Sequence, residues 1–175
     1  MAAIRGKDTK PEMVVRRYLW GLGFRYRLNH PRLPGKPDIV MRKYRTCIFV
    51  NGCFWHGHHV AMPQIENGEW RIENSDCCKI PKTNREFWVR KIRRNQQRDH
   101  EVQLKLAAMG WHSITIWECQ LKPSVRRITL ESLAHTLNSI FLQNHAVHYY
   151  QLSQEEELLM VAENVDESYE RASIH

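Results

Sequence analysis

Residues 37–51, PDIVMRKYRTCIFVN, restrict the fold more than any other stretch of the chain. Two short runs rich in strand-forming residues, DIVMR and TCIFV, are separated only by the polar Lys43-Tyr44-Arg45. Runs of that kind joined by so short a turn pair as an antiparallel hairpin. The fold must therefore contain a sheet to which that hairpin contributes two strands.

Ahead of the hairpin, DTKPEMVVRRYLWGLGF reads as a helix. Thr9 is placed to be its N-cap and Glu12 the N3 partner of a capping box, and Pro11 is tolerated in a first turn. Val14, Val15, Tyr18, Leu19 and Leu22 follow a helical period, and Gly21 and Gly23 mark the end. FRYRL, residues 24–28, alternates apolar and basic as a half-buried strand does, and the Pro- and Gly-rich NHPRLPGKP is a loop. Residues 60–82 are expected to form a polar surface loop with a small hairpin around Asn67-Gly68. Residues 83–109 predict a long helix, capped by Thr83 or Asn84 with Glu86 in its first turn and ended by Gly110. WHSITIWEC is the next strand, residues 124–143 a further helix and HYYQL a short strand. Helix, strand, hairpin, long helix, strand, helix is the order of an α/β domain whose helices flank one sheet.

The chain has 175 residues, 42% of them hydrophobic, enough for one domain with a core. The domain is expected over residues 1–150, followed by an acidic tail, helical or disordered, over 151–175. No run of about 18 apolar residues is present, so no membrane span is expected. The opening MAAIRGKDTK lacks an apolar signal region, so a cytoplasmic protein is expected. Of 26 basic and 19 acidic residues, one base and seven acids fall in 151–175; residues 1–150 thus hold 25 bases and 12 acids, a net of +13. A body so basic suits a polyanion, most often nucleic acid, although a solvated basic surface has the same composition.

Metal-binding and aromatic side chains crowd into NGCFWHGHHV, residues 51–60. The five cysteines, Cys47, Cys53, Cys77, Cys78 and Cys119, are odd in number and scattered, which favours metal ligation or buried thiols over disulfides. Cys53, His58, Cys119 and either Cys77 or Cys78 could form a Cys3His zinc site, whereas Cys47, mid-strand, reads as a core thiol. Asp38 follows a proline and opens the hairpin, the first half of the PD-(D/E)xK nuclease pattern, in which carboxylates hold a catalytic Mg²⁺. The second half is missing, because the second strand ends in Phe49-Val50-Asn51. Glu12 has a sufficient role as a cap. His56 is a candidate general base. Phe54, Trp55 and Trp88 would serve a core, but beside the basic REFWVRKIRRNQQR they also suit a wedge between base steps.

These segments together, MAAIRGKDTKPE, LPGKPDIV, CIFVNGCFWHGH, PKTNREFWVRKIRRNQQRD and GWHSITIWEC, resemble the very short patch repair (Vsr-type) DNA mismatch endonucleases from Met1 to about Pro123. The resemblance implies a variant PD-(D/E)xK fold with a central mixed β-sheet flanked by helices and a structural zinc site. It implies a Mg²⁺-dependent endonuclease that nicks 5′ to the T of T:G mismatches left by 5-methylcytosine deamination. Asp38 and the Val50 carbonyl would bind magnesium, His56 would activate water, and Glu12 would take a catalytic role. Cys53, His58 and Cys119 match zinc ligands, with Cys78 preferred over Cys77 as the fourth. Phe54, Trp55 and Trp88 match intercalating aromatics, and Lys91, Asn95 and Arg98 lie in the helix that faces DNA. Asn51 stands where the family commonly has a supporting catalytic histidine. A monomer acting on double-stranded DNA in the bacterial nucleoid is expected, with a MutL-like repair protein as a candidate partner. The alternatives are a restriction endonuclease on the same fold and a zinc-stabilised DNA-binding module that has lost catalysis.

Overall fold

A computed structural model describes residues 8–60, 64–66, 69–71 and 75–146. The first helix, α1, spans Lys10–Gly21. Its N-cap is Thr9, whose hydroxyl accepts from the Glu12 N–H at 3.5 Å and donates to Glu12 Oε1 at 2.9 Å. The other carboxylate oxygen of Glu12 accepts from the Asp8 N–H at 3.1 Å instead of the Thr9 N–H a capping box requires. The far end closes around Gly23, at φ +86°: the Gly23 N–H donates to Trp20 O and the Phe24 N–H to Leu19 O, both at 3.0 Å. That closure uses the backbone of Phe24, and the strand expected over 24–28 narrows to β1, Arg27–Leu28.

The hairpin forms as β2, Ile39–Met41, and β3, Thr46–Asn51, joined by a single 3₁₀ turn at Arg42–Tyr44 and a left-handed Arg45. Val40 pairs with Cys47 and Ile39 with Ile48, and all four are fully buried. Successive strand residues face opposite sides, so the hairpin is covered on both. On one side Val40 and Cys47 pack with Leu33 and Leu106, flanked by Phe49, Val102 and Trp111. Cys47 is therefore a core thiol, and burial pushes it up to about 12.

Between β3 and the long helix lies a short helix that the sequence pattern does not predict, α2, Cys53–His56. A small antiparallel pair follows, β4 at Gln64–Glu66 with β5 at Glu69–Arg71, where a hairpin is expected; Asn67 and Gly68 themselves lie outside the described residues. The long helix α3 spans Arg85–Ala108. Asn84 precedes it in the left-handed region and makes no side-chain cap, so the expected cap is absent and Glu86 in the first turn is left to offset the helix dipole. Met109, Gly110 and Trp111 close the other end, and the Arg45 guanidinium donates to the carbonyls of Met109 and Gly110 at 3.1 Å.

The last strand, β6 at His112–Trp117, lies parallel to β3 from Thr46↔His112 to Asn51↔Trp117, giving a mixed four-stranded sheet in the order β1-β2-β3-β6. A 3₁₀ turn, Glu118–Leu121, follows, then a helix over residues 126–146. The chain divides into two compact units, Met1–Ala134 and His135–His175. The expected strand HYYQL and the acidic tail lie outside the described residues. Among the described residues no helix is long and apolar enough to cross a membrane.

The docking of α2 on α3 leaves no room at Gly57. This residue caps α2 at φ +63°, and an added Cβ would come within 2.5 Å of Ile92 Cγ2. Gly57→Ala combines left-handed strain with overpacking and is expected to destabilise the fold by about 2 kcal/mol or more. A urea midpoint equal to that of the wild type would contradict this packing.

Candidate active site and metal centre

β3 and β6 end side by side, Asn51 opposite Trp117. Two residues beyond each end stand Cys53 and Cys119, so strand pairing alone brings these two thiols together. His58, just past α2, supplies an imidazole whose Nδ1 lies 3.7 Å from Cys53 Sγ and 3.3 Å from Cys119 Sγ. The fourth member is Cys77, with Sγ 3.2 Å from the same nitrogen. All four donor atoms lie within 4.8 Å of one another. A tetrahedral zinc with Zn–S of about 2.3 Å and Zn–N of about 2.0 Å requires N···S edges of about 3.5 Å. The donor set fits zinc in both chemistry and spacing.

The preference for Cys78 is corrected here. Residues 75–78 form a tight turn, with Ser75 N–H donating to Cys78 O at 3.1 Å and Cys78 N–H to Ser75 Oγ at 3.0 Å. The Ser75 hydroxyl also donates to His58 O at 2.7 Å, which ties the turn to the cluster. Consecutive residues on this turn diverge. Cys77 points at His58, while Cys78 is fully buried among Val60, Ile80, Val89 and Ile92. Burial raises both the Cys78 and Cys53 thiols, Cys53 to about 12, and lowers His58, which favours the neutral imidazole a metal requires.

The second constellation lies where β2 begins. Asp38 Oδ2 accepts the Val50 N–H at 2.8 Å across the hairpin, so the carboxylate is fixed beside the end of β3. Burial raises Asp38 above its ordinary value and Glu12 adds to this, while the Val50 N–H, Arg16 and His56 oppose it. Glu12 is almost wholly buried and paired with the equally buried Arg16 at 2.8 Å. Arg16 also reaches the Asp8 carboxylate. A half-buried carboxylate raised partly by a second one nearby is a site whose charge a divalent cation would relieve.

His56, at the end of α2, is held through Nδ1 by Asp99 Oδ2 of α3 at 2.5 Å. Sequence reasoning does not single out Asp99: it lies 43 residues downstream in a run of charges, and only the helix periodicity relative to Asn95 could flag it. Asn51 ends β3 half-buried, opposite Trp117.

Phe54, Trp55 and Trp88 form one aromatic cluster, with edge-on ring contacts of 5.2, 5.2 and 6.1 Å. Phe54 and Trp88 also pack on the apolar group around Cys78, so core packing and exposure are shared between their two sides. The Lys91 ammonium sits 5.0 Å from the Trp55 ring and 5.3 Å from the Trp88 ring. Arg98 is exposed. The Asn95 amide donates to Trp55 O at 2.7 Å, while Gln96 donates to Gly57 O and Val60 O, both at 3.0 Å. These two amides clamp α2 and the segment after it onto α3.

A family model described as DNA mismatch endonuclease Vsr matches residues 1–62. The chain is 44% identical over 124 residues to the type II nicking enzyme V.NmeAIP of Neisseria meningitidis, covering 70% of this chain and 76% of that protein. It is 36% identical over 137 residues to the DNA mismatch endonuclease Vsr of Escherichia coli, covering 78% of each. It is 35% identical over 130 residues to the type II nicking enzyme V.HpaIIP of Haemophilus parainfluenzae, covering 74% and 82%.

Two measurements check this geometry. Cys77→Ser is expected to lower the zinc content of the purified protein, and Cys78→Ser to leave it at one ion per chain; the reverse pattern would restore Cys78 to the cluster. Asp38 bears on stability through its raised folded-state value. Such an acid contributes stability that is full below the ordinary carboxylate value and lost as pH rises through the raised one. Asp38→Asn, which keeps an acceptor for the Val50 N–H, should therefore raise the thermal midpoint at neutral pH without added Mg²⁺. The gap to wild type should close on acidification, and equal midpoints at neutral pH would count against the assignment.

Proposed function

The chain belongs to the Vsr family of DNA mismatch endonucleases, and from that premise we propose that it nicks the thymine-bearing strand 5′ to the T of a T:G mismatch, using Mg²⁺. One observation carries this reading. A fixed carboxylate, Asp38, with Glu12 and His56 acting on it, lies at the end of the sheet from which α2 presents both His56 and two rings of the aromatic cluster. The Pro37-Asp38 opening followed by a hairpin supports a variant PD-(D/E)xK fold.

Asp38 and the Val50 carbonyl would hold Mg²⁺, which supplies charge neutralisation at the attacked phosphate. Asp99 fixes one tautomer of His56 by engaging Nδ1, so Nε2 is the nitrogen free to take a proton from water. As the proton arrives, the Asp99 carboxylate stabilises the imidazolium. Glu12 accepts from Thr9, Asp8 and Arg16 and so holds one orientation, with one lone pair on Oε1 left for a water. Asn51 can hydrogen-bond water or a phosphate but cannot titrate. Phe54, Trp55 and Trp88 enter the base stack beside the mismatch, and unstacking a weakly paired step requires less work than unstacking a matched one. Lys91 and Arg98 contribute positive charge along the strand. Cys53, His58, Cys77 and Cys119 hold zinc as a structural tie.

The test is a nicking assay on labelled duplexes bearing each mismatch and a paired control, with and without Mg²⁺. Cleavage of one strand of the T:G duplex, dependent on Mg²⁺, is expected. Cutting both strands of the paired control would replace this reading with a restriction endonuclease, and Mg²⁺-independent binding without turnover would replace it with a DNA-binding module. Asp99→Asn should lower kcat on the order of 100-fold with KM little changed; an unaltered kcat would remove Asp99 from the mechanism.

A further inference from the structure

We propose that the outer face of α3 carries a second nucleotide subsite, in which Phe87 stacks on a base unstacked next to the mismatch while Arg90 and Arg94 hold its neighbouring phosphates. The proposal rests on the mismatch-wedge reading and extends it to residues that reading does not use.

Phe87 begins the exposed face of α3 and is 56% exposed, although nothing in the core requires a phenylalanine there. A single exposed aromatic is unremarkable in itself. Three further observations set this one apart. Its ring lies 5.2 Å from Trp88, which in turn contacts Phe54 and Trp55, so Phe87 is the outermost member of a continuous array of four rings. The Lys91 ammonium that faces Trp55 and Trp88 also stands 5.7 Å from the Phe87 ring, so one cation joins the inner and outer parts of the array. The ring also walls an open depression of about 560 Å³ lined by Glu86, Arg90, Lys91 and Arg94. That volume is in the range that takes a small ligand, and three of its four charged walls are cationic.

The helix sets the spacing. Phe87, Arg90 and Arg94 stand at i, i+3 and i+7 and share a face. Arg90 and Arg94 are one turn apart, about 6 Å along the axis. Glu86 pairs with Arg90, which steadies that guanidinium and keeps the floor of the depression from being purely cationic. A ring for the π-face of a base, with guanidinium groups for the backbone on either side, is the arrangement that binds single-stranded nucleic acid with little regard to sequence. A wedge that opens the duplex creates such a strand next to itself. Charge excludes an acyl or apolar ligand and favours a polyanion.

The experiment is equilibrium binding of a T:G duplex and its paired control to wild type, Phe87→Ala, Phe87→Tyr and Arg90→Gln/Arg94→Gln, with an abasic analogue moved through the positions flanking the mismatch. Phe87→Ala is expected to weaken T:G binding about 10-fold, and Phe87→Tyr to restore it. The loss should vanish when one particular flanking base is absent, since no ring partner then remains. The double arginine variant should reduce the slope of log affinity against log salt by about 2. Binding by Phe87→Ala equal to wild type, a loss identical at every abasic position, or an unchanged salt slope would overturn the subsite. Wild-type protein that binds paired and T:G duplexes equally would instead overturn the mismatch reading on which the subsite depends.

Discussion

The parallel pairing of β3 with β6 decides where the chemistry can be. Six residues of each strand run in register and stop together at Asn51 and Trp117. The chain then turns off the sheet at both ends, and the next thiols, Cys53 and Cys119, fall at equal distances past the edge. β2 runs the opposite way, so its first residues return to that same edge with Asp38. A slip of one residue in the β3–β6 ladder would reverse the facing of every β6 side chain and separate the two thiols. The buried hydrophobic residues on both faces of the hairpin hold that register. The core thus sets the cluster and the carboxylate at the same end of the sheet.

α3 is a 24-residue helix with three uses along its length. Val89 and Ile92 pack with Cys78 and Val60, and Leu106 packs under the hairpin. Between these apolar ends, Asn95, Gln96 and Asp99 turn inward and are all spent on α2 and the residues just past it. Polar residues in the middle of a helix facing protein would destabilise the fold if unmatched. Here the Asn95 and Gln96 amides donate to the carbonyls of Trp55, Gly57 and Val60, at and just past the end of α2, and the Asp99 carboxylate engages His56 Nδ1. Arg90, Lys91, Arg94 and Arg98 are among the outward positions, so one helix both braces α2 and carries a basic outer surface.

How much of this is legible in the sequence follows from which interactions are local. The hairpin, α1 with its Thr9 cap, the closure at Gly23 and the end of α3 at Gly110 are set within a few residues, and each is readable. The capping box is half right, because Glu12 turns to Asp8, Thr9 and Arg16, a network that no spacing rule specifies. Asn84 has the residue type of a cap, yet its left-handed backbone points the side chain elsewhere. Cys77 and Cys78 are indistinguishable by spacing; the Ser75 turn, held by the carbonyl of His58 17 residues earlier, decides between them. Asp99 is invisible for the same reason, since its partner His56 is reached only when α3 folds back over α2.

α2 itself is the element that sequence patterning is least able to find, and its instability explains why so much is built around it. Four residues form a single turn, too few to offset the loss of backbone freedom through their own hydrogen bonds. Its order is therefore supplied from outside, by the cysteine–histidine cluster at Cys53 and His58 and by the amides of Asn95 and Gln96. The Trp117 ring stacks on His58 at 4.0 Å with planes 16° apart and stands 6.5 Å from His56, so one indole touches the cluster and borders the candidate general base. Phe54, Trp55 and His56 occupy consecutive positions between those anchors. Because a helix this short has no slack between its ends, fixing both fixes Phe54, Trp55 and His56 in a single geometry relative to the sheet.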